Sequence, residues 1–391
     1  MQPRDVERRL GLGDAVVLGM GSMLGTGVFV VWSPAAELAG RWLFLSLGLA
    51  ALVAYCNATS MAQLAAVHPE SGGAYVYGRV RLGRPWGVLA GALFVVGKTA
   101  SCATAALAVG AYVWPDGATP VAVGCVALAT LVNLAGVEKS ARSTLVLVVV
   151  VLAVLALVSV AALVRGPAAG SHPSAGSPPV SVGGVLAAAA LFFFAFAGYA
   201  RVATLGGEVR DPARVIPRAI LVSLGVVLVT YVVVGVALVT ALGRSGLVST
   251  TTPAAAAVGD AYGLEAVVRV GAAVAALAVL VPLLAGVSRT LYAMARHGDL
   301  PRSLGAVGAR HVPHRAVVLV ATAVTGLALT GGLRVVLALS AGCVLGYYAV
   351  ANAAALHLRP GERRWPLLVP VLGIAGCVTL AAAVAAASDN L

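Results

Sequence analysis

Acidic residues are scarce in this chain, and lysine is scarcer still. Of 391 residues, 14 are Asp or Glu and two, Lys98 and Lys139, are lysine; charged residues of all kinds make up 10%. With a hydrophobic fraction of 60% and a mean hydropathy of +0.99, a soluble domain of this length is excluded and the chain reads as a polytopic, all-α integral membrane protein. A long polar stretch is also missing: the longest runs from about Arg165 to Val182, too short for a separate soluble domain. No nucleophile with an ordered base, no phosphate-binding glycine loop with its lysine and no pair of deep carboxylates is present, so neither an enzyme nor a cofactor is expected. Five cysteines, Cys56, Cys102, Cys125, Cys343 and Cys377, sit in apolar runs without metal-ligand spacing and read as small buried hydrophobes. His297, His311 and His314 read as solvated loop residues with no metal between them. The formal charge of +12 comes from basic residues scattered singly, without interleaved aromatics, which argues against a nucleic-acid partner. No small-residue cleavage site follows the first apolar run behind Arg4, Arg8 and Arg9, so that run is expected to stay as a span.

What is abundant is apolar runs of membrane length. A spanning helix needs about 20 such residues, which places spans near 14–38, 42–67, 86–113, 119–137, 143–164, 184–206, 218–242, 264–296, 314–331, 333–357 and 365–387. With the N-terminus in the cytoplasm, 18 of the 26 Lys and Arg residues fall in cytoplasmic segments, among them Arg79, Arg81, Arg84, Lys139, Arg142, Arg210, Arg214 and Arg218. Arg41, Arg165, Arg244, Arg269 and Arg334 fall outside, and Lys98, Arg201 and Arg289 lie within spans. An error in any span would scramble this asymmetry, so the expected protein is a multi-pass one in the cell membrane with a cytoplasmic N-terminus and the lipid bilayer as its surroundings. Between spans, Ser71 to Gly83 reads as an amphipathic reentrant or interfacial segment, Pro253 to Tyr262 as a short outer helix, and Glu208 and Asp211 with Arg214 and Arg218 as a cytoplasmic ion-pair latch.

The first span is interrupted by its own composition. Gly21, Gly25 and Gly27 each cost roughly 1 kcal/mol against alanine in a helix, and backbone left unpaired at membrane depth survives only beside protein or a water-filled cavity. The sixth span has a glycine in an aromatic-rich middle, Phe194-Ala195-Phe196-Ala197-Gly198-Tyr199. Spans one and six start on opposite sides of the membrane and are matching members of a five-plus-five arrangement, in which paired interruptions mark a binding site. Freed N–H groups around Gly25, Thr26 and Gly27 suit a carboxylate, and freed carbonyls around Phe194 to Gly198 suit an ammonium group. Together, with Ser22 and Met23 beside the first break, they suit the zwitterionic head of an amino acid. The competing reading of the glycines is close helix packing; Phe196 and Tyr199 read equally as gate or core.

Lys98 is the most unusual residue. It lies about 18 Å along the third helix from Trp86, too deep to snorkel easily, where a charge is costly unless paired, hydrated or neutralised. It reads as a proton carrier or carboxylate partner, with the competing reading of a structural tether to freed carbonyls or to the hydroxyls of Thr99, Ser101 and Thr104. Arg201 lies just past the second break and reads as an ion-pair partner of Glu208 or a lining residue of the inner vestibule. Ser288 reads as a site hydroxyl or as a serine bonded to its own backbone.

At this point the residues resemble a known family, the amino acid, polyamine and organocation (APC) transporters. Gly21-Ser22-Met23-Leu24-Gly25-Thr26-Gly27-Val28-Phe29 looks like its first-helix signature. Phe194 to Tyr199, followed by Glu208-Val209-Arg210-Asp211-Pro212 and Ile216-Pro217-Arg218, resembles its sixth helix and following loop. Ser71-Gly72-Gly73-Ala74-Tyr75 and Ser288 to Pro301 are similar to its second-helix loop and eighth-helix end. The resemblance implies a LeuT-like core of five plus five inverted repeats with broken helices 1 and 6, residues 14–164 and 184–357, and an additional helix, 365–387, all in one transmembrane domain spanning 1–391. It implies transport of amino acids or amines by alternating access, proton-coupled or by exchange. The chain departs from cationic amino acid transporters, which carry an acidic residue where Ala200 stands, and from proton-coupled relatives, which carry a lysine near the position of Val151; the family's usual twelfth helix is not found. The expected function is thus a secondary active amino acid permease, with a proton as coupling ion through Lys98. The alternatives are an amine or polyamine permease, an exchanger without a proton and, in another class, a channel or a transporter-derived sensor.

Overall fold

A computed structural model of the chain describes residues 10–68, 72–136, 141–167, 180–203, 209–259, 263–308 and 312–387. The expectations that fall on Ser71, Lys139, Tyr262, Glu208 and His311 lie outside the described residues. Nine described helical stretches are long and apolar enough to cross a membrane, and two shorter apolar helices, Val182–Phe196 and His314–Thr330, fall where the sixth and ninth spans were expected. The protein is a multi-pass membrane protein, and all eleven expected spans correspond to helices.

The first span is three pieces in line: α1 (Leu12–Met23), α2 (Gly27–Val30) and α3 (Trp32–Ala39). Val31, between the last two, has helical dihedrals, and its N–H reaches Gly27 O at 3.1 Å, so 27–39 is one continuous outer half. The interruption is narrower than the glycines suggested, covering Leu24–Thr26 alone. Gly21 and Ser22 are still helical. Gly21 serves packing, because a Cβ there would lie 2.8 Å from Thr144 and 3.0 Å from Val148 of the fifth span, α8 (Ala141–Arg165); Ser22 Oγ donates to Leu18 O one turn back.

Beyond it come α4 (Leu43–Val67), α5 (Ala74–Arg81), α6 (Arg84–Val113) and α7 (Ala118–Leu134). The segment expected to be interfacial is thus an eight-residue helix, α5, entered through Gly72 and Gly73, whose φ of +141° and +58° turn the chain sharply behind the second span. After α8, the sixth span is broken into α9 (Val182–Phe196) and α10 (Ala200–Ala203), separated by the turn Ala197–Tyr199. Then follow α11 (Pro212–Val248), α12 (Pro253–Val258), α13 (Leu264–Arg296), α14 (His314–Thr330), α15 (Leu333–Leu356) and α16 (Leu368–Ala387). The expected short outer helix is α12.

Two apolar clusters hold the helices. The larger joins the two broken spans to α4, α8, α11 and α15, and the smaller joins α6, α7, α13 and α14 through Ala105, Val126, Leu284 and Val320. Side chains such as Leu128, Leu131, Val146, Val160, Val229 and Val270 stay exposed on the outer surfaces, where lipid takes the place of water. The cysteines are all free; Cys56, Cys102 and Cys377 are buried as expected, but Cys377 also exchanges hydrogen bonds with the Asn57 amide at 3.2 and 3.3 Å. At the N-terminal end Leu10 pairs in parallel with Val209, and Arg210 N donates to Leu10 O at 3.0 Å.

Candidate functional site

The two interruptions meet. A Cβ on Gly27 would sit 2.6 Å from Ala195 Cα of α9, and one on Gly198 would overlap the carbonyl of Ser22, so glycine at each position lets the backbones touch. Met20 O accepts from Leu24 N at 2.7 Å and closes the inner half; Thr26 O accepts from Phe29 N at 3.1 Å and opens the outer one. Between these bonds, the N–H groups of Gly25 and Thr26 have no partner among the described residues. The Thr26 hydroxyl, 4% exposed, has none either. Three unspent polar groups therefore point out of the start of a thirteen-residue helical half, where the helix dipole favours negative charge.

On the other side the carbonyls are partly occupied. Tyr231 of α11 places its hydroxyl 2.8 Å from Met23 O and 2.9 Å from Ala195 O, bridging the ends of both half-helices. Tyr348 of α15 donates to Ala197 O at 3.1 Å. Each carbonyl keeps a second lone pair, so this carbonyl edge is pinned without being used up. Sequence reasoning passed over both tyrosines. Their signal was a phenolic hydroxyl in an otherwise aliphatic span, which must find an acceptor when buried. The aromatics of the second break are core and rim at once: Phe196 packs on Tyr231 with centroids 5.0 Å apart, Tyr199 on Tyr348 at 5.1 Å, and Phe193 on Tyr348 at 5.6 Å, while Phe194 and Gly198 are half-buried.

Lys98 lies on α6 between two packed faces. Toward α15, Gly97 leaves room for Cys343 and Val344, and Ser101 bonds Ser340 at 2.6 Å; toward α13, Gly91 lies against Met294 and Cys102 packs in the cluster with Leu284 and Leu291. At about 100° per residue, Lys98 falls between these faces, on the stripe that runs up to Tyr112, whose hydroxyl donates to Phe29 O at 3.0 Å. Through Tyr112 the far end of this stripe meets the first broken span. Tyr348 stands one turn past Val344, which puts Lys98 within about 6 Å of the depth of the second break. Among the described residues Lys98 forms no hydrogen bond or ion pair; Thr99, Ser101 and Thr104 bond carbonyls of their own helix instead, so the tether to these hydroxyls is not made.

Two weaker candidates separate from the break. The Ser288 hydroxyl donates to Leu284 O at 2.8 Å, the backbone bond of a serine packed inside a helix. Arg201 is exposed on α10. Of the expected latch, Asp211 and Arg214 pair at 3.7 Å on the surface.

Charge gathers at the two ends of the molecule. Asp299, its side chain fully buried, accepts from Tyr75 Oη at 2.7 Å, Arg79 at 2.6 Å and Arg84 at 2.9 Å, which ties α5 to α6 and to the end of α13. Burial pushes its carboxyl up, but the hydrogen bonds of Tyr75 and Arg84 and the charges of Arg79 and Arg84 outweigh it and hold the carboxyl below its ordinary value. The Tyr75 phenol is pushed up to about 12 by burial and by the Asp299 carboxylate. At the other end, Glu37 of α3 pairs with Arg334 of α15, beside a 260 Å³ cavity lined by Val30, Ser33, Thr251 and Arg334.

The chain is similar to known transporters along most of its length. A family model described as amino acid permease matches residues 10–390. An uncharacterized transporter of Mycobacterium tuberculosis is 53% identical over 388 residues, covering 97% of this chain and 88% of the relative. The branched-chain amino acid permease BcaP of Bacillus subtilis is 29% identical, over 79% of this chain and 71% of its own. The chloroplastic cationic amino acid transporter 7 of Arabidopsis thaliana is also 29% identical, over 89% of this chain and 65% of the relative. The crystal structure of MhsT in complex with L-phenylalanine superposes with a TM-score of 0.73 at 16% identity, covering 98% of this chain and all of that one.

Proposed function

We propose that this chain, which belongs to the amino acid permease family, carries an amino acid across the cell membrane by alternating access, with its N-terminus in the cytoplasm and a proton as the coupling ion. Two inverted repeats, 14–164 and 184–357, surround the substrate, and 365–387 is an added helix. The substrate carboxylate lies at Gly25, Thr26 and Gly27 and its ammonium at the carbonyl edge formed by Met23, Phe194 and Ala197, with Ser22, Phe196, Gly198 and Tyr199 completing the site. The observation that carries this reading is the trio of unspent donors at Gly25 and Thr26, buried at membrane depth against the second break. A donor left unpaired there costs about 1–3 kcal/mol, a cost that a bound carboxylate relieves.

Lys98 supplies the coupling. It lies on α6 at the depth of the second break, holds no partner among the described residues, and is the one lysine inside a span. A substrate of net zero charge binds beside it more readily in one protonation state than the other, which links the proton to the cycle. Uptake of a labelled amino acid panel into proteoliposomes, with and without an imposed pH gradient, tests both parts. Uptake that rises with an inwardly directed proton gradient is expected, with Lys98→Ala retaining counterflow exchange while losing the response to the gradient. Failure of every amino acid to be taken up ends the transport reading; an unchanged gradient response in Lys98→Ala ends the coupling role.

A further inference from the structure

A side chain of α13 stands against the first break at Gly25. Val279 of α13 sits so close to Gly25 that a Cβ on Gly25 would overlap its Cγ2 and lie 3.4 Å from its Cβ. Val279 is half-buried and stands against Gly25, whose N–H group, like that of Thr26, is unspent. A carboxylate held by those N–H groups brings the substrate's Cα, and the side chain on it, within van der Waals reach of the Val279 methyls. Whatever the side chain is, it competes with them for space.

The charge of that side chain is restricted as well. The described acidic residues, Asp14, Glu37, Asp116, Asp211, Glu265, Asp299 and Glu362, all lie in the first or last turn of a helix or between helices. No carboxylate among the described residues stands at the depth of the breaks to receive a cationic side chain. The ionisable group nearest that depth among the described residues is Lys98, which repels one. The side chains nearest a Cβ placed on Gly25 or Gly27 are those of Val279 and Ala195, both apolar.

We infer that the site takes neutral amino acids with aliphatic side chains, and that Val279 is the specificity-determining residue that sets the largest side chain admitted. This rests on the permease reading above, and it decides a point on which the relatives' names differ. An aliphatic side chain gains from burial against Val279 and asks for no counter-charge. Shortening Val279 opens space at the break, and lengthening it removes space. Pockets of this kind discriminate by roughly 10- to 200-fold per methylene, so the effect is measurable in relative rates.

The test is uptake by the full-length protein in proteoliposomes, with valine, leucine, phenylalanine, lysine, arginine and glutamate assayed separately. Wild type is expected to prefer valine or leucine, with lysine and arginine failing to compete. Val279→Ala is expected to raise the phenylalanine-to-valine ratio of kcat/KM by about tenfold, and Val279→Ile to lower it. The pair keeps the test independent of a folding defect, because the two variants move the ratio in opposite directions. Preference for lysine, arginine or glutamate overturns the substrate class, and a ratio that both variants leave within about twofold of wild type overturns the role of Val279; both results leave amino acid transport standing. Uptake of none of the six by wild type removes the permease reading itself, and this inference with it.

Discussion

Thr26 shows in one side chain how the site differs from the core around it. Most hydroxyls in these helices bond a carbonyl one turn back, as Thr99, Thr104 and Ser288 do. Thr26 has no preceding helical turn to bond to, because Leu24 to Thr26 are not helical, so its hydroxyl is stranded. Tyr231 presents the opposite case, a single hydroxyl shared by two carbonyls from different halves of the molecule. Tyr231→Phe is expected to leave Met23 O and Ala195 O without their donor, to lower stability by about 1–3 kcal/mol in thermal melts, and to raise the KM of uptake more than it lowers kcat, since it loosens the ammonium edge. A KM unchanged within error would remove Tyr231 from the site. Gly25, Thr26, Gly27 and Gly198 could be read from the sequence because glycine at membrane depth is costly without a reason. Tyr231 and Tyr348 could not, because only the fold puts α11 and α15 against the breaks; a tyrosine in a span says that it has a partner and does not say which.

At the scale of elements, the lengths of the apolar runs carried most of the architecture. Eleven runs correspond to eleven spans, and the divisions at Gly331-Gly332 and Pro115-Gly117 lie where the helices end. The width of the first break was less legible, because Gly21 serves close packing with α8 and glycine does not announce which of its two uses applies. The helical character of α5 was also hidden. Its order depends on ties that span hundreds of residues: Tyr75 and Arg79 to Asp299, Ala74 N to the Tyr347 hydroxyl at 2.9 Å, and Arg81 to Glu362 at 3.0 Å. Asp299→Asn is expected to lower the melting temperature in detergent, by a loss of about 2 kcal/mol, because two arginines lose a charged acceptor. The pH dependence follows from the sign of the shift. A carboxyl held below its ordinary value contributes stability that is full above that ordinary value of 3.8 and is lost as pH falls through the lower folded one. Thermal melts at acid pH should therefore bring wild type toward Asp299→Asn, and a constant gap between them would refute the assignment.

For the whole molecule, alternating access requires that the outer path open while the inner one is shut. The pair Glu37–Arg334 links the outer half of the first span to α15 at the mouth of the 260 Å³ cavity. Glu37→Gln is expected to shift the protein toward an outward-open form, read as increased labelling of a cysteine placed at Ser33; labelling equal to that of the parent cysteine variant would count against it. The pair is half exposed, so about 0–1 kcal/mol is expected from it, enough to bias two forms of similar energy and too little to lock either.

The pairing of Leu10 with Val209 bears on the opposite side. It joins the residues just before α1 to those just before α11, far apart in the chain, by one bridge and one backbone hydrogen bond. The entries to the first and seventh spans are thus one joint, and a displacement of either is passed to the other.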